Sequence, residues 1–215
     1  VLTASGSIEQ AVGVLTAGAL SGSSDLTTTL PSAGNAVANL GSFTSTGGFT
    51  LRDGEGLAVS GPVTDSASIA LNVTGGLTLS GVLDAPAVSL LASGDIAQTG
   101  GGIITSALRG DSGGATSLTS AGNSVTNLDS FTSGGDFVLA DSVPVRFAGP
   151  VTVGSGHTLT VEDNQFIIGA AGVLSASLGT IVLEPLTPGT PFGLTGTGAA
   201  LPFTANTLVP VSYTH

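Results

Sequence analysis

"LRDGEGLAVSGPV" occupies Leu51 to Val63, and twenty residues further on "LNVTGGLTLSGVL" occupies Leu71 to Leu83. Laid one over the other, they place Leu57 on Leu77, Val59 on Leu79 and Val63 on Leu83. Apolar residues alternate with small polar ones in both, and a period of two marks a strand with one buried face. The same alternation recurs in Ile69, Leu71, Val73, in Val143, Val145, Phe147, and in Leu159, Val161. Between these runs stand "RDGEG", "TGG", "SGD", "TSGGD" and "EDN", compositions that make tight turns. Further copies of the unit begin at Leu90, Leu118 and Leu139, so the spacings from Leu51 are 20, 19, 28 and 21 residues.

Those four steps span 88 residues, and the whole chain repeats at that distance. "AGNAVANLGSFTS" from Ala33 returns as "AGNSVTNLDSFTS" from Ala121. The same shift carries Gln10 onto Gln98, Phe43 onto Phe131, Phe49 onto Phe137, Asp53 onto Asp141 and Gly61-Pro62-Val63 onto Gly149-Pro150-Val151, without a gap. No stretch shows a sustained helical period with a cap.

A unit of about 20 residues with short strands and glycine corners cannot bury its own apolar face, but stacked units can. The chain is therefore expected to be all-β, a parallel β-helix (β-solenoid) with ~20-residue coils in an 88-residue tandem super-repeat. Residues 1–184 form the solenoid, with super-repeat copies at about 1–88 and 89–176. About ten coils spaced by ~4.8 Å predict a rod of roughly 45 to 50 Å. A β-sandwich also shows alternation and turns, but has no need of an ungapped duplication. The recurrent phenylalanines are expected to stack or plug a corner. The longest step falls between Gly100 and Leu118 and reads as a short extra coil or a bulging loop. Residues 185–215 hold five of the ten prolines and read as an irregular last coil or a linker.

Composition removes several functions. There is no Lys, and Arg52, Arg109 and Arg146 are scattered through a chain of net charge -11. Nucleic-acid binding and a polybasic membrane anchor need clustered cations, so neither is expected. Mean hydropathy is +0.52, yet the longest strongly apolar stretch, "FIIGAAGVL" from Phe166, has about half the length of a spanning helix. No transmembrane segment and no signal peptide is read, and the chain reads as a piece of something longer. Without Cys there is no disulfide framework or thiolate site.

The units "GNAVANLGSFTSTGGFTL", "LTLSGVL" and "ASGDIAQTGG" resemble the shaft repeats of filamentous-haemagglutinin-like exoproteins, over about residues 1–180. These are long bacterial surface or secreted proteins, many of them exported by two-partner secretion. The resemblance implies a right-handed coil, a secreted or bacterial cell-surface location, and a role in adhesion, biofilm formation or contact with other cells.

Individual motifs add little chemistry. Asp53 and Glu55 in "LRDGEG" suggest a calcium site, but Glu55 becomes Val143 in the second copy and the glycine-rich calcium nonapeptide is absent, so a solvated turn is expected. Arg109, Gly110 and Asp111 spell a tripeptide in the irregular stretch and form a candidate contact loop; the first copy has Ser21, Gly22 and Ser23 there. His157 is read as a lone exposed residue, as is His215. Asn35, Asn39, Asn123 and Asn127 are read as structural corner residues that bond their own turns and stack on their equivalents. Glu162 and Asp163 are the only adjacent acids, and neighbours in a strand face opposite ways. No nucleophile–base set, phosphate loop or cofactor motif is present in the sequence, so neither a catalytic residue nor a cofactor is expected.

The reading is a stiff extracellular stalk or filament shaft, partnered by neighbouring repeats or by further copies end to end. A carbohydrate- or host-receptor-binding module is the second reading, and a polysaccharide-cleaving β-helix the third.

Overall fold

The computed structural model describes residues 1–190, 193–196 and 203–210. Every recorded strand pairing in it is parallel, and no helix occurs among the described residues. Among the described residues no helix is thus long and apolar enough to cross a membrane.

The chain winds into a β-solenoid of about nine coils. Each coil lays down three strand segments, here called faces A, B and C. In one coil these are Ser68–Val73, Leu77–Leu79 and Val82–Asp84. Face A stacks Leu51, Leu71, Leu90 and Gly110 in register. Face B stacks Leu57, Leu77, Ile96, Thr116, Phe137, Leu159 and Ile181. Face C stacks Phe43, Val63, Leu83 and Ile103.

Alternation fills the narrow interior as the sequence implies. Inward Val, Leu and Ile form one continuous core from Leu20 to Leu183. Among the described residues six phenylalanines are fully buried in it: Phe43, Phe49, Phe131, Phe137, Phe147 and Phe166. Phe43 and Phe49 meet across a corner with ring centroids 4.8 Å apart, and Phe131 and Phe137 repeat the contact at 5.1 Å. Each of Phe43 and Phe131 pairs with a glycine one coil earlier, Gly22 and Gly110. A Cβ on Gly110 would lie 2.5 Å from the Phe131 ring and 2.6 Å from the Leu90 carbonyl oxygen, so no larger residue fits without movement.

Two expectations are corrected by the register. The long step from Leu90 to Leu118 is neither a bulging loop nor an extra coil. Leu90 pairs with Gly110 one coil later on face A, whereas Leu118 belongs to face B, beside Leu139. The step therefore contains one ordinary coil of 20 residues plus one face. It follows that 88 residues make four coils and a third, not four. Four coils on from Phe49 along face A stands Leu128, through Ile69, Val88 and Leu108. Phe137, the sequence twin of Phe49, is on face B. The duplication does not stack on itself; it advances by one face.

The proline-rich segment is described in part. Gly193–Gly196 and Phe203–Pro210 pair in parallel with Gln165–Ile168 and Val173–Glu184, so these pieces continue the ladder. Tyr213 and His215 lie outside the described residues.

Candidate functional site

The inner corners carry the densest polar chemistry. Asn123 is fully buried between Leu118 on face B and Val125 on face C. Its Oδ1 accepts from Gln98 Nε2 at 2.8 Å and from the Ile103 N–H at 2.9 Å. Its Nδ2 donates to Gln98 Oε1 and to the carbonyls of Leu118 and Ala140, at 3.0, 3.2 and 3.1 Å. Gln98 Oε1 also accepts from the Ser120 N–H, and Asp141 accepts from the Val125 and Val143 N–H groups. Three successive coils are thus tied through one amide. A buried Asn uses nearly its whole donor and acceptor capacity this way.

The first copy builds the same network one face earlier. Asn35 bonds Gln10, the Leu15 N–H and the carbonyls of Leu30 and Arg52, and Asp53 accepts from Val37 and Glu55. Asn35 and Asn123 therefore sit at different corners and do not stack on each other. Asp53 is fully buried and turned inward, its oxygens engaged by backbone N–H groups, while Glu55 is exposed. This is a corner lock, not an open turn with two free carboxylates.

Asn39 and Asn127 are corrected in place. They lie within the strands Asn39–Ser45 and Ser124–Ser133, half-buried, and bond the adjacent coil. Asn39 Oδ1 accepts from Ser60 Oγ at 2.6 Å, and Asn127 Nδ2 donates to the Ser106 carbonyl at 2.8 Å. His157 is exposed but not alone: its Nδ1 is 3.1 Å from Asp136 Oδ1 of the preceding coil. The Thr158 N–H bonded to Asp136, with some help from His157, holds that carboxyl below its ordinary range.

Burial works in the opposite direction inside the B–C corner. Asp141 is pushed up to about 7 by desolvation, only partly offset by the N–H groups of Val143 and Val125. Asp163 takes the same corner position one coil later, accepting from Val145 at 2.6 Å, and burial raises it too. Glu162 beside it faces outward against Glu184, raised by partial burial and by that neighbour's charge.

The outer surface carries a mixed-charge groove. Arg109, Gly110 and Asp111 are not on a loop. They lie in the strand Gly102–Ser112, paired with Ala87–Ala92 on one side and Ser124–Ser133 on the other. The sequence hid this strand because two of its inward positions are Gly110 and Ser112 rather than aliphatic residues. Gly110 faces the Phe131 ring, so Arg109 and Asp111 both point outward. Around them a groove of about 350 Å³ is lined by Ser89, Leu91 and Ser130. A smaller one of about 120 Å³ shares Ser89 and Arg109 and reaches Asp129. The Arg109 side chain has no hydrogen-bond or ion-pair partner among the described residues. Arg109 and Asp129 stand one 20-residue coil apart, but the irregular reading of the 100–118 stretch kept the sequence from pairing them.

No family model, curated protein or solved structure matches the chain.

Proposed function

We propose that this chain is a shaft segment of a long bacterial extracellular or cell-surface β-solenoid protein, a rigid rod of the filamentous-haemagglutinin-like kind. It acts mechanically and not as an enzyme, and holds other parts of its polypeptide away from the cell. The observation that carries this reading is the contrast between the two copies. Up to Val63 the inward residues largely recur: Leu20 and Leu108, Asn35 and Asn123, Phe43 and Phe131, Leu51 and Leu139, Asp53 and Asp141. Several outward ones change: Ser21 to Arg109, Ser23 to Asp111, Ala58 to Arg146. Because the copy is turned by one face, it cannot build a single repeated binding array along one side. What it extends is the ladder and the core.

An acidic exterior suits such a rod, since like-charged neighbours stay apart in solution. Parallel ladders also favour coil-on-coil addition, so end-to-end association of copies belongs to the same reading. The test is light scattering with negative-stain microscopy across a concentration series. Stiff particles about 40 Å long, or rods that lengthen with concentration, support a shaft; a compact globule overturns it. The Arg109 groove favours a second reading, a carbohydrate-binding module, which is compatible with the first.

A further inference from the structure

We infer that the groove around Arg109 is a binding site for a neutral polyhydroxylated glycan, displayed on the shaft proposed above. The two copies offer an internal comparison. Leu91, Arg109, Asp111 and Asp129 correspond to Thr3, Ser21, Ser23 and Gly41. The stacking is equivalent as well: Leu91 pairs with Asp111 and Asp111 with Thr132, as Thr3 pairs with Ser23 and Ser23 with Thr44. Beneath them the interior is unchanged, with Leu108, Gly110, Ser112, Leu128 and Phe131 standing for Leu20, Gly22, Ser24, Leu40 and Phe43.

So four outward positions on three neighbouring coils differ together while the packing below them does not. Three of them gain charge, in a chain where only 8% of residues are charged. Core packing and solubility do not require one cation between two anions at one place. Arg109 lines both cavities, with Asp111 in one and Asp129 in the other.

The chemistry selects the ligand. Two carboxylates accept hydroxyl protons, and the unpaired guanidinium donates in a fork to adjacent hydroxyl oxygens. Leu91, 40% exposed, offers an apolar patch to the C–H face of a sugar ring, and Ser89 and Ser130 add hydroxyls. An anionic ligand meets two carboxylates and a net charge of -11. A cationic peptide meets Arg109. A neutral polyol satisfies all three charges at once.

The test uses the whole chain with maltohexaose, cellohexaose and mannohexaose, followed by NMR titration. The comparison variant carries Leu91→Thr, Arg109→Ser, Asp111→Ser and Asp129→Gly, each residue borrowed from the first copy, where it already covers the same interior. At least one hexasaccharide is expected to bind the parent, with affinity falling tenfold or more in the variant while the particle keeps its rod shape. Failure of all three sugars to bind, binding unaffected by the four changes, or preferential binding of hexalysine at these residues overturns the assignment. A rod-shaped parent that binds no sugar leaves the shaft reading standing. A compact globule sinks both, since the groove exists only between stacked coils.

Discussion

The two corner networks are the same device in different surroundings. Gln10, Asn35 and Asp53 lock the A–B corner; Gln98, Asn123 and Asp141 lock the B–C corner. In the first, Gln10 is partly exposed and Asp53 pairs with Val73 in the next coil. In the second, Gln98 is buried and the next coil brings Asp163 to the corner. One sequence motif thus meets an apolar neighbour in one place and an acid in the other. The lesson is that the motif encodes its own hydrogen bonds, but not the charge that will be stacked above it.

The largest effect is expected from removing the central amide. Asn123→Ala strands Gln98, the Ile103 N–H and two carbonyls in a dry corner, at about 1–3 kcal/mol for each group left unpaired. Asn35→Ala leaves Gln10 within reach of water and should cost less. Urea unfolding of the two variants, with amide exchange at Leu15 and Ile103 as local readouts, measures the difference. Equal losses would mean that the corners are equally solvated. Gly110→Ala comes next, because Phe131 and the Leu90 carbonyl have no room to retreat; overpacking of this kind costs about 1–3 kcal/mol. Its unfolding midpoint should fall without any change in coil number.

Acidity gives the third. The unfolded chain ionises Asp141 near 3.8, whereas the folded corner holds its proton up to about 7. The folded state therefore binds more protons across that window. Its stability is fullest below pH 4 and is lost as pH rises through 7. Burial raises Asp163 as well, which adds an effect of the same sign. Acidifying from pH 7 to 5 should gain about 2 kcal/mol, at ~1.4 kcal/mol per unit. Asp141→Asn should flatten that profile in thermal melts, and a profile that stays unchanged would place the titration elsewhere. The smallest effect is expected at the exposed Asp136–His157 pair: His157→Ala should change stability by less than about 1 kcal/mol and leave the Thr158 N–H contact intact.

Much of this molecule is written locally. The alternation of Leu57 with Val59, the glycine corners and the 20-residue step specify strands, turns and coil length, because each depends only on neighbours in the chain. The ungapped 88-residue match specifies that inward residues up to Val63 largely recur. Neither says which face a residue lands on. Sequence distance counts residues, whereas face depends on how many residues each coil consumes, and only the pairing of Leu90 with Gly110 and of Leu118 with Leu139 decides that. The same limit made Arg109 to Asp111 read as a loop: a strand whose core positions are Gly and Ser has no apolar period, and it is the Phe131 ring of the next coil that explains the glycine. The sequence by itself determined the coil, its composition and its inward chemistry. Tertiary stacking alone decided the turn of one face between the copies, the raised Asp141, and the shared groove of Arg109 and Asp129, since each depends on how whole coils pack and not on local sequence.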